Sequence, residues 1–341
     1  MSNKILAIET SCDETAAAVV AFNQGKIKAL SNIVASQAAL FKNLGGVVPE
    51  AAARAHVRKI LPVVRKALND AKTRLNDITY IAVTVGPGLS PSLLVGSEFA
   101  KGLSYASDKK LIPVNHMLGH LYSGFIAKPN LKLPAINLIV SGGHTYIVLI
   151  KNRKKIKVLG QTVDDAAGEA FDKVAKMLGL PYPGGPVVSK AALSGKTDYN
   201  FPRPMLHAKN FNFSFAGLKT AVLYKIRDEK LSVKSSKVRA DICYSFQNAA
   251  IDVLVQKTIA AAQKYKTKTI IISGGVAANK MLRNEMEKAA KKIKASLIVP
   301  EFSLCTDNAL MIANAAAIKL HNGFKPITYK KIRINPVMGI K

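Results

Sequence analysis

Cysteine is scarce in this chain: Cys12, Cys243 and Cys305 are the only three in 341 residues, far apart and without a Cys-x-x-Cys pair. That spacing argues against a disulfide framework or a zinc ribbon and fits a reducing compartment. Long apolar runs are also missing. No stretch approaches the ~18 uninterrupted apolar residues of a membrane span. The start, Met1-Ser-Asn-Lys4, runs directly into apolar residues 5–8 without the charged, apolar and small-residue order of a secretory signal. A soluble, cytoplasmic protein with no membrane association is expected. Acidic residues are few, 21 Asp plus Glu against 50 Lys plus Arg, which leaves a net charge of +29 and a pI near 10.0. Such a field draws polyanions. Only ten of the 50 cations are Arg and the Lys are spread along the chain, so part of the excess reads equally well as solvated surface. Basic runs stand at residues 151–157, 225–239, 288–294 and 330–333. The balance favours a nucleic-acid partner held through its phosphates, with strong salt dependence.

What is present is enough apolar residue, 49%, for two domains with their own cores. The most informative segment is Asn115-His-Met-Leu-Gly-His-Leu121, where His116 and His120 are four residues apart and share one helical face. That is metal-ligand spacing for zinc or iron, and a third ligand must come from elsewhere. A zincin helix is excluded, because Met117 stands where its general-base Glu would be. The alternative is a pair with one ring in a core and the other in solvent.

Residues 5–8 and 16–21 read as two strands around the polar turn Glu9-Thr-Ser-Cys-Asp-Glu-Thr15. The pattern returns at residues 135–140 and 145–150 around Ser141-Gly-Gly-His144. Two apolar hairpins half a chain apart, each followed by helical periodicity, predict an internal duplication of one α/β unit. Helices are predicted at 51–71, 93–106, 240–265, 278–293 and 309–320, and buried strands at 78–85, 269–272 and 296–299. That alternation predicts a mostly parallel sheet with ligands at strand C-terminal ends.

Three loops have the composition for chemistry. Val140-Ser-Gly-Gly-His144 lacks side-chain bulk, so its amides have access to a phosphate; ordinary turn geometry explains the glycines as well. Ile272-Ser-Gly-Gly-Val-Ala-Ala-Asn279 leaves a strand and opens a helix, a setting that favours an anion or a nucleotide edge. Neither is a Walker loop, since no Gly-Lys-Ser/Thr follows. Residues 164–173 hold Asp164, Asp165, Glu169 and Asp172, more acids than an ordinary amphipathic helix needs, although capping would use some of them. Pro181-Tyr-Pro-Gly-Gly-Pro186 beside them is predicted to be a rigid loop that excludes helix. Asp307, in Cys305-Thr-Asp-Asn308, has two readings: either it or Asn308 caps the helix at 309–320, or it is the third metal ligand.

Taken together, these segments resemble the TsaD family, the tRNA adenosine threonylcarbamoyltransferases. The likeness runs nearly end to end, through Ile8-Glu-Thr-Ser-Cys-Asp-Glu-Thr15, Gly45-Gly-Val-Val-Pro-Glu50, Gly86-Pro-Gly-Leu89, residues 116–120, 140–144, 164–173, Tyr182-Pro-Gly-Gly185, 213–220, 273–279 and 305–308. It implies an α/β fold of two duplicated actin/sugar-kinase-like (ribonuclease H-like) domains around a central cleft. The first would be residues 1–133 joined by 307–341, the second 134–306. It also implies transfer of the threonylcarbamoyl group from threonylcarbamoyl-adenylate to N6 of the anticodon-adjacent adenosine in tRNAs that read codons beginning with adenine. By position, His116, His120 and Asp307 would hold one divalent metal, Fe(2+) or Zn(2+). Val140, Ser141, Gly142, Gly143, His144, Asp172, Gly185 and Asn279 would bind the adenylate. No residue is assigned as the base; Glu9, Ser11, Asp13 and Glu14 are candidates near the cleft. Expected partners besides tRNA are a TsaB-like paralogue and a TsaE-like ATPase, with the adenylate made by a TsaC-like enzyme.

The chain departs from the family pattern at Phe41, where a His is common, at Leu118 (Glu), at Ala216 (Ser), and at Ser107 and Lys110, where an aromatic residue and a proline are usual. None of these is an expected metal or adenylate position. They bear on helper-protein contacts or local packing. The rival functions are a noncatalytic tRNA-binding scaffold and a kinase of the same superfold; a metalloprotease is weaker because the zincin Glu is missing.

Overall fold

The computed structural model describes residues 3–23, 26–42, 45–196 and 199–340. The chain forms two compact units. One comprises Met1–Phe41, Val47–Asn130 and Pro300–Lys341, the other Lys42–Gly46 and Leu131–Val299.

In the first unit β1 (Asn3–Glu9) and β2 (Glu14–Asn23) form the predicted hairpin, with Ile5 opposite Val20 and Glu9 opposite Ala16. β3 (Lys26–Ser36) continues it antiparallel. Next come the short α1 (Ala38–Phe41), α2 (Pro49–Asp70), β4 (Tyr80–Gly86), α3 (Ser90–Ser107), β5 (Lys110–Asn115) and α4 (His116–Ala127). β4 pairs parallel with β1, and β5 parallel with β4, giving the order β3-β2-β1-β4-β5. The central strand β1 is buried on both faces, which is why it reads as a continuous apolar run. Leu6 and Ile8 of β1, Ile81 and Val83 of β4, and Ile60, Val64 and Ala67 of α2 share one core.

The second unit repeats this plan. β6 (Ala135–Val140), β7 (Thr145–Asn152) and β8 (Lys155–Gln161) form an antiparallel meander, followed by α5 (Ala167–Met177), α6 (Gly184–Ala192), α7 (Ala216–Asp228) and α8 (Ser236–Lys264). β9 (Thr269–Ser273), α9 (Lys280–Lys292) and β10 (Ser296–Ile298) complete it, with β9 parallel to β6 and β10 parallel to β9. The resulting order, β10-β9-β6-β7-β8, is the first sheet's order read from its other edge. The predicted duplication is therefore present in topology and in strand direction. The chain returns to the first unit through α10 (Phe302–Cys305) and α11 (Ala309–His321), and α11 packs on β1, β2, β3 and α4.

Two expectations need correction. The sheets are mixed rather than mostly parallel, because each has two antiparallel and two parallel pairings. β3, β5 and β8, which the apolar pattern did not disclose, are all sheet edges. Edge strands tolerate Lys and Pro, and these carry both, with Pro113 in β5 and Lys155 and Lys157 in β8. The second correction concerns residues 181–186. They do not exclude helix, since Gly184, Gly185 and Pro186 form the first turn of α6. A first-turn amide has no intrahelical acceptor, so a missing N–H there removes no bond. No helix among the described residues is long and apolar enough to cross a membrane.

Candidate metal centre and nucleotide loops

Asn115 ends β5 and caps α4, its side chain accepting from the amides of Met117 at 2.8 Å and Leu118 at 3.2 Å. This cap starts the helix at His116, so His116 and His120 occupy successive turns of one buried face. Their rings meet edge to face, 4.8 Å between centroids. Asp307 joins them from the loop before α11. Asn308 is the cap of that helix, accepting from Met311 N at 3.0 Å, so of the two cap candidates it is Asn308 and not Asp307 that caps. Asp307 Oδ1 lies 3.4 Å from His116 Nε2 and 3.1 Å from His120 Nε2.

The three residues place two imidazole nitrogens and one carboxylate oxygen within 4.8 Å of one another, and both imidazoles are buried. This donor set fits a divalent transition metal and leaves positions open for other ligands. The local charges agree with that fit. Burial pulls His116 down, but Asp307 and Glu9 outweigh it and raise the imidazole well above its ordinary value. Burial drives Asp307 up, yet His116 and His120 hold it below the usual carboxylate range. A dication would replace the proton that two carboxylates otherwise draw onto His116.

The β1–β2 turn lies beside this centre. Ser11 Oγ is 3.1 Å and Glu9 Oε2 3.0 Å from His116 Nδ1. Glu14 is pushed up to about 10, first by burial and then by the charges of Asp307 and Asp13. Burial, followed by Asp13, raises the Cys12 thiol well above its usual range, so it is a poor thiolate at neutral pH.

In the second unit the proposed adenylate residues form a linked set. Residues 141–144 are the β6–β7 turn, with Ser141 N bonded to His144 O at 2.8 Å, and Gly168 N of α5 donating to Ser141 O at 3.2 Å. Asp172, one turn further along α5, accepts from Gly184 N at 2.7 Å and so secures the start of α6, where Gly185 follows. Asn279 caps α9 through Leu282 N at 3.0 Å and donates to Ser189 of α6 and Gln247 of α8. The loop 272–279 passes through a 3-10 turn before that helix begins. A Cβ at Gly142, Gly143, Gly185 or Gly275 would meet nothing within 4 Å, so these backbones face open space. The remaining acids of residues 164–173 are structural. Asp164 accepts from Phe215 N at the start of α7, while Asp165 pairs with Lys173 and Lys219, and Glu169 with Lys173.

A family profile described as "TsaD: tRNA N6-adenosine threonylcarbamoyltransferase" matches residues 28–314. A protein of that name from Thermosipho melanesiensis is 52% identical over 94% of this chain and 95% of its own length. One from Moorella thermoacetica is 48% identical over 96% of this chain and 95% of its own. The chain belongs to the tRNA N6-adenosine threonylcarbamoyltransferase family. More distant solved structures share its fold. HypF of T. kodakarensis superposes with a TM-score of 0.64 at 16% identity, over 94% of this chain and 48% of its own. Component A of the Acidaminococcus fermentans (R)-2-hydroxyglutaryl-CoA dehydratase does so with a TM-score of 0.55 at 13% identity, over 97% of this chain and 99% of its own. The fold is that of two duplicated actin/sugar-kinase-like units.

Among the family's departures, Phe41 is fully buried in α1 and the Ser107 hydroxyl donates to Leu103 O. Both are therefore absorbed by local packing. Sequence reasoning missed Thr84, which binds Glu9, and His56, which binds the Cys12 carbonyl. Neither left a local signal, because each meets its partner through the tertiary fold.

Proposed function

We propose that this chain transfers the threonylcarbamoyl group from threonylcarbamoyl-adenylate to N6 of the anticodon-adjacent adenosine of tRNAs that read codons beginning with adenine. The observation that carries the reading is the group of two buried histidines, His116 and His120, with the half-buried Asp307 in a member of this family. These three residues hold one divalent ion, Fe(2+) or Zn(2+). Such an ion, when bound, acts as a Lewis acid on a carbonyl and attracts anionic oxygens. The open amides around Gly142, Gly143 and Gly185 receive the adenylate phosphate, in the manner of glycine turns and helix N-termini. His144, Asp172 and Asn279 complete that subsite, Asp172 by keeping the first turn of α6 in place. The adenosine amine is a weak nucleophile, so holding it against the carbamoyl carbon supplies much of the acceleration. The new N6–C bond forms as the bond from the carbamoyl carbon to the phosphate oxygen breaks, the amine gives up a proton and AMP departs. Glu14 and Asp13 are the candidates for contact with the reacting groups, and tRNA, a TsaB-like paralogue and a TsaE-like ATPase are the partners.

The test is mass spectrometry of tRNA nucleosides after incubation of the purified chain with threonylcarbamoyl-adenylate, unmodified tRNA and those partners. Threonylcarbamoyladenosine should form with the parent and fall to background with Asp307→Ala. Product from neither, with every partner set, would sink the reading.

A further inference from the structure

We propose that Glu9 is the positioning residue of the metal centre, holding the Nδ1 proton of His116 so that Nε2 presents its lone pair to the ion. The proposal rests on the metal reading above. Glu9 closes β1 and is completely buried. Both of its oxygens are engaged inside the unit. Oε1 accepts from Ser11 N at 2.5 Å, and Oε2 accepts from the Thr84 hydroxyl of β4 at 2.7 Å and lies 3.0 Å from His116 Nδ1. A carboxylate clamped between two strands with no exposed oxygen does not touch substrate.

The chemistry of the contact fixes the tautomer. An ionised carboxylate only accepts, so the His116 nitrogen facing it must donate. Ser11 Oγ, 3.1 Å from the same nitrogen, is a second acceptor for that proton. In the neutral ring the lone pair then falls on Nε2, the nitrogen that faces Asp307. Burying an isolated carboxylate is unfavourable unless donors surround it. The donors here are a strand hydroxyl, a turn amide and the ligand imidazole. His120 differs, because its Nδ1 is buried and has no hydrogen-bond partner among the described residues. One histidine of the pair is thus set from behind by a carboxylate, and the other only by packing and by Asp307. Carboxylates behind ligating histidines fix ring orientation and raise ligand basicity.

The test measures zinc binding to the full-length purified chain by competition with a chromophoric chelator. It compares the parent, Glu9→Gln, Thr84→Val, His116→Ala and the Glu9→Gln/His116→Ala double variant. Glutamine keeps the shape of Glu9, but its amide also donates, which favours the wrong tautomer. Glu9→Gln should weaken zinc binding roughly 10- to 100-fold. Thr84→Val, which loosens the carboxylate and serves if the Glu9 variant does not fold, should weaken it less but in the same direction. On the His116→Ala background the Glu9 change should have little further effect, because Glu9 acts through that ring. In the zinc-loaded parent, nitrogen NMR should find the His116 proton on Nδ1. Zinc binding by Glu9→Gln as tight as the parent's, an equal loss on the His116→Ala background, or a proton on Nε2 would each overturn the proposal. A parent that binds no zinc would overturn the metal reading itself, and the proposal with it.

Discussion

His56 is fully buried on α2, and its Nε2 donates to the carbonyl of Cys12 at 2.9 Å. That leaves Nδ1 as an acceptor, from the Thr15 hydroxyl at 2.8 Å and the Gln37 amide at 3.2 Å. The ring is therefore a neutral pin under the turn that carries Ser11, Asp13 and Glu14. Truncating it strands three buried polar groups and leaves a cavity, so His56→Ala should destabilise by about 2 to 4 kcal/mol in urea titrations. Burial, the largest influence on it, lowers the His56 pKa below its ordinary value. The unfolded chain then takes up the proton first as pH falls. The contribution of His56 is complete above the unfolded value near 6.5 and is lost as pH falls through the folded one. The difference between parent and His56→Gln stability should accordingly shrink on acidification; a difference that is constant from neutral to acid pH would refute the neutral ring. At this scale the pairing of His116 and His120 was legible because i and i+4 share a helical face whatever the fold. Glu9 was visible only as an acid in a polar turn, because its partner His116 is 107 positions away and depends on the register of β1 with β4.

Three helices next to site residues begin with asparagine caps: Asn115 on α4, Asn279 on α9 and Asn308 on α11. The cap on α11 also determines where Asp307 points. Asn308→Ala should lower stability by about 1 kcal/mol, the usual value of such a cap. Because Asp307 adjoins the loosened end, zinc affinity should fall too. Asn308→Ser keeps a capping oxygen for Met311 N and should restore part of both, and unchanged zinc binding in the alanine variant would separate the cap from the ligand. Gly274 presents a different constraint. Its φ is +88°, and a Cβ would lie 2.4 Å from the Val140 carbonyl of the neighbouring strand. Gly274→Ala meets both a left-handed backbone and a clash with main chain, and should destabilise by about 1 to 3 kcal/mol, read as a lowered melting temperature. Elements with both faces covered, such as β1 and β6, were legible as apolar runs. The edge strands β3, β5 and β8 were not, because one flank of each faces away from any partner strand and accepts polar residues; the edge strand β10 was legible as an apolar run. The Gly-Gly-Pro start of α6 was misread because helix-breaking residues break only interiors.

At the scale of the whole molecule, the duplication was legible because each unit begins with the same apolar hairpin, and a parallel strand on the same side of each hairpin completes the repeat. Charge is the other property that belongs to the whole chain. A value of +29 exceeds what any one contact face requires, and it is what remains after every acid is counted against a base, pairs such as Arg54–Glu50 and Lys291–Glu287 included. Two origins for the excess differ in their response to salt. If the cations are general solvated surface, added salt screens them and changes tRNA affinity little once nonspecific encounter is suppressed. If a face of them meets phosphates, each contact releases a counterion, and log affinity falls linearly with log salt at a slope of roughly −0.7 to −0.9 per contact. Filter binding of unmodified tRNA to the chain between about 50 and 200 mM salt should give that straight line, with a loss of roughly 10^3-fold if six or more phosphates are engaged. The slope counts the lysines and arginines that work on the nucleic acid, and a flat line would assign the charge to surface alone. Repeating the salt titration with the proposed TsaB-like paralogue present then shows whether the same cations are shared, because a shared face gives a smaller slope in the assembly than in the free chain.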